Sequence, residues 1–248
     1  MAPVILITGA SRGIGAATVR LAAERGFDVA VNFTRDAQAA QAVVDDCLAS
    51  GVRAIAVQAD VADEAAVVAM FDRVARELGA IDVLVNNAGI LHTHMRFDEM
   101  TVDRWREVLD VNVLGAFICA REAVLRMSTR HGGAGGAIVN VSSAASYLGS
   151  PGEYIDYAAS KGAIDTMTIG LGKEVAAEGI RVNAVRPGVI HTDIHASGGE
   201  PGRVDRVAPM VPMQRGGDPI EVARTILWLA SDEASYVTGA IVNCSGGR

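Results

Sequence analysis

The chain has 248 residues, half of them apolar, enough for one sizeable core of the α/β kind and an argument against a second domain. Asp and Glu number 29 against 22 Lys and Arg, a formal net charge of -7 with no basic run, so the phosphate-backbone footprint of a nucleic-acid binder is missing. No apolar run approaches the roughly 18 to 20 residues of a membrane helix, and three scattered cysteines (Cys47, Cys119, Cys244) outside any CxxC fit a reduced, cytoplasmic setting.

Apolar β-branched runs alternate with stretches of helical period. The opening MAPVILITGA has no basic flank and leads straight into a glycine-rich turn, so Val4–Thr8 is expected as a first strand rather than a signal. Ile14, Ala17, Thr18, Leu21 and Ala22 follow the spacing of one helix face, and Gly26 closes that helix. Further strands are expected near Val29–Phe33, Ala54–Gln58, Val83–Asn86, Ala137–Ser142, Arg181–Val185 and Ala240–Asn243. Helices are expected near Ala37–Ala49, Glu64–Leu78, Val102–Met127, Tyr157–Ala177 and Ile220–Ala230. Seven strands alternating with helices predict an α/β fold, a doubly wound, mostly parallel sheet with helices on both faces. Residues 188–218 lack a clear period and are rich in Gly, Pro and His; a loop of that length in a compact domain is usually functional, and it is expected as a substrate lid.

Ligands of such sheets bind outside the carboxyl ends of the strands where the winding reverses, which draws attention to the first strand-to-helix turn. It reads TGASRGIG, with Gly9, Gly13 and Gly15 placed so that backbone amides and a helix N-terminus can approach a pyrophosphate unobstructed. Taken alone, three glycines also suit a tight turn with no ligand.

TGASRGIG, NNAG at Asn86–Gly89, VNVLG at Val111–Gly115, IVNVSS at Ile138–Ser143, YAASK at Tyr157–Lys161 and RPGVIHT at Arg186–Thr192 stand in one order along the chain. This series resembles that of the single-domain branch of the short-chain dehydrogenase/reductase family, and the resemblance covers essentially the whole chain. It implies a Rossmann-type fold, a nicotinamide cofactor and reversible hydride transfer between carbonyls and alcohols.

The stretch SPGEYIDYAASK contains two tyrosines and one lysine. On a helix, Tyr157 and Lys161 stand roughly 6 Å apart along the axis on one face, whereas Tyr154 is about 10.5 Å from Lys161 and follows Pro151 and Gly152 closely enough to precede the regular helix. A phenol with a reference pKa of about 10 is a poor acid or base at neutral pH, so a fixed ammonium must favour its ionised form. Lys161 is placed to supply that charge to Tyr157.

The resemblance implies that Tyr157 protonates the carbonyl oxygen during reduction, that Ser143 holds that oxygen, and that Lys161 also grips the nicotinamide ribose. Asn112 matches the family asparagine that fixes a water at the end of the proton path; a satisfied polar group inside a helix is the alternative. Ser142 is the rival of Ser143, because successive strand residues face opposite ways. Carried onto matching positions, the cofactor contacts come from Gly9, Ser11, Arg12, Gly13, Ile14 and Gly15 in the turn, and from Asp60 and Val61 after the third strand. Asp60 could equally be a helix cap. Asn86, Ala88 and Gly89 follow the fourth strand, where Asn86 and Gly89 are expected on the adenosine-ribose side. Pro187, Gly188, Val189 and Thr192 follow the sixth, the last two beside the carboxamide.

Relatives that prefer NAD place a carboxylate at the end of the second strand, where it accepts from the ribose and repels a 2′-phosphate. VAVNFTRD puts Asn32, Phe33, Thr34 and Arg35 at that corner, with Asp36 only later. Arg12 and Arg35 can approach a phosphate from two sides, and their planar donors match its oxygens, so NADP(H) is expected over NAD(H). His92 with His94, and His191 with His195, invite a metal reading, but no Cys or clustered carboxylate completes a tetrahedral set nearby, so no metal is expected. A non-catalytic dinucleotide sensor would tolerate loss of the tyrosine or lysine; the full set Asn112, Ser143, Tyr157 and Lys161 favours an enzyme. The family also implies a homotetramer, with Ala163, Ile164, Met167, Ile169, Gly170 and Leu171 as candidates for the subunit contact or for the chain's own core. The physiological carbonyl or alcohol is left open between an aldose or polyol, a 3-oxoacyl thioester and a broad range of ketones.

Overall fold

The computed structural model describes residues 2–248. Seven strands, β1 (Val4–Ile7), β2 (Asp28–Phe33), β3 (Ala54–Gln58), β4 (Ile81–Asn86), β5 (Gly136–Val141), β6 (Ile180–Pro187) and β7 (Ile241–Cys244), form one sheet in the order β3-β2-β1-β4-β5-β6-β7. Every neighbouring pair is parallel, so each return passes through a crossover on a sheet face. The chain winds outward from β1 to β3, then comes back to β4 on the other side of β1. That reversal opens a crevice between the ends of β1 and β4.

Alternation along β1 shows how the sheet is covered. Ile5 and Ile7 face a core formed with Val19 and Ala22 of α1 (Gly13–Glu24), Val43 and Val44 of α2 (Ala37–Ala49), and helix residues Val222 and Ile226. Val4 and Leu6 face the opposite core, with Met70 and Phe71 of α3 (Glu64–Glu77) and Ile118 and Ala123 farther along. Each fully buried side chain of this size contributes about 1.5–3 kcal/mol, and both faces are covered, which is why the strands read as continuous apolar runs.

Helix starts follow the chemistry of their caps. Asp63 accepts from the amides of Ala65 and Ala66 at 2.9 and 3.1 Å to start α3. Asp36 accepts from Ala39 at 2.9 Å to start α2. Helix α1 has no side-chain cap; Arg12 occupies the position in an extended conformation and leaves the first-turn amides to other partners.

The expected long helix Val102–Met127 is α4 (Val102–Leu109) and α5 (Gly115–Met127) joined by a π-helical turn over Asp110–Leu114. The turn carries Asn112 and is a wider loop of backbone that periodicity alone does not reveal. Helix α6 (Ala145–Leu148) follows β5, and α7 (Ile155–Glu174) carries Tyr157 and Lys161. Residues 188–218 contain short helices α8 (Ile194–Ser197) and α9 (Arg203–Val207), and α10 (Pro219–Ala230) returns to the sheet. Ile164 and Met167 pack with Ala120 inside the chain's own core, which removes them from the candidate subunit contacts, while Ile169 stays 40% exposed.

Candidate active site

A cleft of about 1250 Å³ runs over the carboxyl ends of the strands. One end is bounded by the turn after β1, with Gly9, Ser11, Arg12, Gly13 and Ile14, and by Thr34, Arg35, Asp60 and Val61 after β2 and β3. The other end is bounded by Ser143, Tyr157 and Lys161, with Ala88 and Gly89 after β4 between the two. Pro187, Gly188, Val189 and Thr192 after β6 close the remaining side.

The turn is tight because glycine alone fits it. Gly9 and Gly13 have φ of +60° and +58°, and a Cβ on Gly9 would stand 2.8 Å from the Ala88 Cα. Asn87, absent from the sequence expectations, ties the turn to β4 by donating to the carbonyls of Thr8 and Gly9 at 2.8 and 2.9 Å. The uncapped α1 N-terminus, the open backbone and two exposed arginines fit a dinucleotide pyrophosphate with an added phosphate. Among the described residues, neither Arg12 nor Arg35 has an acidic partner within ion-pair distance.

Four positions differ from the sequence reading. Asn32 turns inward, where Oδ1 accepts from the Gly9 amide at 3.1 Å and Nδ2 donates to the carbonyls of Val57 and Ala59 at 3.3 and 3.0 Å. It braces the turn and does not line the cleft. Asn86 is also buried, donating to Asn140 Oδ1 at 3.0 Å and Ala116 at 3.2 Å; strand alternation gives the cleft to its neighbour Asn87. Gly15 lies beneath the turn, where a Cβ would come within 2.6 Å of Asn87 Nδ2. Gly89, midway along the cleft, stands nearer Lys161 than the glycine turn, since a Cβ there would be 3.5 Å from Lys161 Nζ. Asp60 Oδ1 accepts from Ala62 at 3.0 Å, while the α3 cap is Asp63.

Helical spacing brings Tyr157 and Lys161 together: Lys161 Nζ is 5.6 Å from the Tyr157 ring centroid and donates to the Val141 carbonyl at 2.8 Å. Burial lowers the Lys161 ammonium to about 8, opposed by the charge of Asp165. Burial raises the Tyr157 phenol, opposed by a hydrogen bond with the Ser143 hydroxyl and by the charge of Arg203. Both serines border the cleft, but the Ser142 hydroxyl is engaged in donating to the Lys161 carbonyl at 3.2 Å. Asn112 in the π turn accepts from the Ile90 amide at 2.7 Å and donates to Ser160 Oγ at 3.1 Å, and Ser160 donates to the Tyr157 carbonyl at 2.7 Å.

Tyr154 occupies the cap position of α7, edge-on to Tyr157 with ring centroids 5.8 Å apart. Its phenol is raised by burial, and the Arg203 guanidinium lies 4.8 Å from its ring centroid. Arg203 of α9 also donates to Glu153 at 2.7 Å and to Glu200 at 3.2 Å, while Arg206 binds both glutamates. The Glu153 pairs fasten residues 188–218 to the segment before α7, and the Glu200 pairs brace the two arginines within it. Arg203 lies 46 positions beyond Tyr157 and carries no local signal that could have found it. The histidines diverge: His92 faces Glu107 at 3.1 Å, His94 faces Glu200 at 3.2 Å, and His195 bonds to the Ile190 carbonyl at 2.9 Å. Among the described residues no group of three or more His, Cys, Asp or Glu could hold a metal ion.

A family model described as enoyl-(acyl carrier protein) reductase matches residues 9–248. The chain is 58% identical over 245 residues to an uncharacterized oxidoreductase, YgfF, of Escherichia coli, covering 99% of each. It is 38% identical to the 3-oxoacyl-[acyl-carrier-protein] reductase FabG of Staphylococcus aureus, over 98% of this chain and 96% of that one. A short-chain dehydrogenase of Burkholderia cenocepacia, solved in complex with NADP, superimposes with a TM-score of 0.89 at 37% identity, over 98% of this chain and 96% of the other.

Proposed function

The chain belongs to the short-chain dehydrogenase/reductase family, and on that footing we propose that it is an NADP(H)-dependent oxidoreductase interconverting a carbonyl and a secondary alcohol, with Tyr157 as general acid and base. The observation that carries this reading is one continuous cleft with Ser143, Tyr157 and Lys161 at one end and the glycine turn with Arg12 and Arg35 at the other.

The nicotinamide, when bound, supplies or takes the hydride. In reduction, the Ser143 hydroxyl holds the substrate oxygen and Tyr157 gives it a proton; burial keeps the phenol protonated at neutral pH, the state this direction requires. In oxidation Tyr157 takes the alcohol proton, and the neighbouring Lys161 ammonium favours the phenolate. Lys161 also reaches the nicotinamide ribose. Asn112 fixes a water at the end of the proton path, held in place through Ser160. The turn amides hold the pyrophosphate, and Thr192 the carboxamide.

Preference for NADP(H) is supported by the absence of a free carboxylate on the corner after β2. Asp36, the nearest acid, is engaged in capping α2, while Arg12 and Arg35 stand exposed. The relative from Burkholderia cenocepacia solved with NADP points the same way. The whole chain acts as one domain in a cytoplasmic setting, with residues 188–218 as the substrate lid. It assembles as a homotetramer, for which the exposed Leu114, Phe117 and Leu125 along the π turn and α5 supply apolar surface; a monomeric mass by light scattering would overturn that part.

The function is tested with purified protein, NADPH or NADH, and a panel comprising a 3-oxo ester, an aldose, a diketone and an aryl ketone. Nicotinamide absorbance reads turnover. The expected result is reduction of at least one carbonyl at higher kcat/KM with NADPH; inactivity across this panel and a 3-oxoacyl thioester added to it would overturn it.

A further inference from the structure

A buried ion pair lies just behind the cleft. Arg104 Nε donates to Asp156 Oδ2 at 2.6 Å and Nη2 to Oδ1 at 3.2 Å, with the two side chains 8% and 3% exposed. The third arm, Nη1, donates to the Thr93 carbonyl at 2.7 Å. Asp156 Oδ1 also accepts from the backbone amide of Tyr157 at 2.9 Å. One carboxylate therefore joins α4, the loop after β4 and the first turn of α7.

The residues sit where local chemistry alone would not put both of them. Asp156 in the first turn of α7 suits the positive end of that helix and satisfies an amide that has no partner within the helix. Arg104 in the first turn of α4 opposes the dipole of its own helix. Its place is explained by the tertiary pairing, and such local conflicts gather at functional sites. Buried ion pairs are poor stabilisers compared with apolar residues of the same volume, so stability alone does not account for it. Neither side chain lines the cleft.

We infer that Arg104 and Asp156 are positioning residues that fix the first turn of α7, and with it the Tyr157 phenol, against the loop that forms the substrate side of the cleft. This rests on the assignment of Tyr157 as the acid and base. The bidentate fork fixes the carboxylate in orientation as well as distance, and the carboxylate fixes the amide of the reacting residue. The same guanidinium holds the Thr93 carbonyl, so movement of the loop is coupled to the tyrosine.

Single substitutions leave a buried charge unpaired and risk misfolding, so the test uses two double variants. Arg104→Met/Asp156→Leu removes the pair and refills its volume; Arg104→Met/Asp156→Asn restores an acceptor for the Tyr157 amide without the charges. With the carbonyl of the panel that wild type reduces fastest, the Leu double variant is expected to lose kcat at least tenfold. Its NADPH Kd stays within about twofold and its Tm close to wild type. Hydrogen exchange at the Tyr157 amide accelerates at least tenfold. The Asn double variant recovers a substantial part of kcat and slows that exchange again. Wild-type kcat in the Leu double variant overturns the inference, as does a kcat loss matched by equal losses in Tm and NADPH binding. Tyr157→Phe in the same assay separates the two readings. If it is inactive while the Leu double variant is fully active, the positioning role alone falls; if it is fully active, the assignment of Tyr157 falls and takes this role with it.

Discussion

Lys161 lies over the ring of Tyr157, its Nζ 5.6 Å from the centroid and anchored by the Val141 carbonyl. The ammonium therefore has a fixed place beside one tyrosine. Tyr154, whose phenol burial raises, is held instead between Arg203 and the His94 ring. Tyr157→Phe is expected to lower kcat by roughly 10²–10⁴-fold, the range for a lost general acid, with NADPH affinity nearly intact. Tyr154→Phe retains substantial activity. Steady-state kinetics and cofactor titration check both, and equal losses would contradict the assignment.

Burial of Lys161 gives stability a defined pH dependence. Its ammonium titrates at about 8 in the folded chain against 10.5 for the ordinary group. Between those values the unfolded chain holds a proton that the folded chain has released, so stability rises with pH across that window and is flat with respect to this group below it. The rise amounts to about 3 kcal/mol over the whole window. Lys161→Met lacks it. Scanning calorimetry of both proteins at about pH 8 and about pH 10 is expected to shift the Tm difference towards wild type by a few degrees; a constant difference would contradict the burial argument.

The proposed coenzyme preference rests on Arg35 and Arg12. A charge-assisted hydrogen bond contributes about 1.5–3 kcal/mol, so Arg35→Ala is expected to weaken NADP(H) at least tenfold and NAD(H) about twofold or less. Arg12→Ala acts in the same direction. Fluorescence titration with both reduced coenzymes measures this. Equal weakening of the two would place the arginines away from the phosphate and return attention to Asp36.

The proposed lid is fastened by the Arg203 and Arg206 pairs with Glu153, while Glu200, inside the same segment, braces both arginines. Burial acts to raise the Glu153 carboxyl, but the hydrogen bonds from Arg203 and Arg206 outweigh it and hold the group below its ordinary value, so this tether weakens only as pH falls below the ordinary carboxylate range. Arg203→Ala leaves two glutamates to one arginine and removes the cover of Tyr154. It is expected to raise substrate KM more than it lowers kcat and to speed tryptic cleavage at Arg206. Unchanged cleavage would show that the lid is held by other contacts, such as Val204 and Val207 against Val189.

What the sequence determined was whatever depends on short-range periodicity and backbone sterics. Strand runs, the i, i+4 meeting of Tyr157 and Lys161, and the glycine turn all arise within a few residues, where bond geometry fixes which side chains are neighbours. Tertiary structure decided the rest. Whether Asn86 or Asn87 faces the cleft depends on how β4 sits between β1 and β5. Asn32 turned inward because the Gly9 amide and the carbonyls of Val57 and Ala59, from two separate segments, converge on it. The π turn at Asn112 and the packing of Ile164 against Ala120 likewise emerge only when α5 and α7 are laid on the sheet. Arg203 meets Tyr154, and Arg104 meets Asp156 across 52 positions, because the winding of the sheet brings their segments together. An ion pair or a buried hydrogen bond needs both partners in place within a fraction of an ångström, and no local pattern carries the coordinates of the distant one.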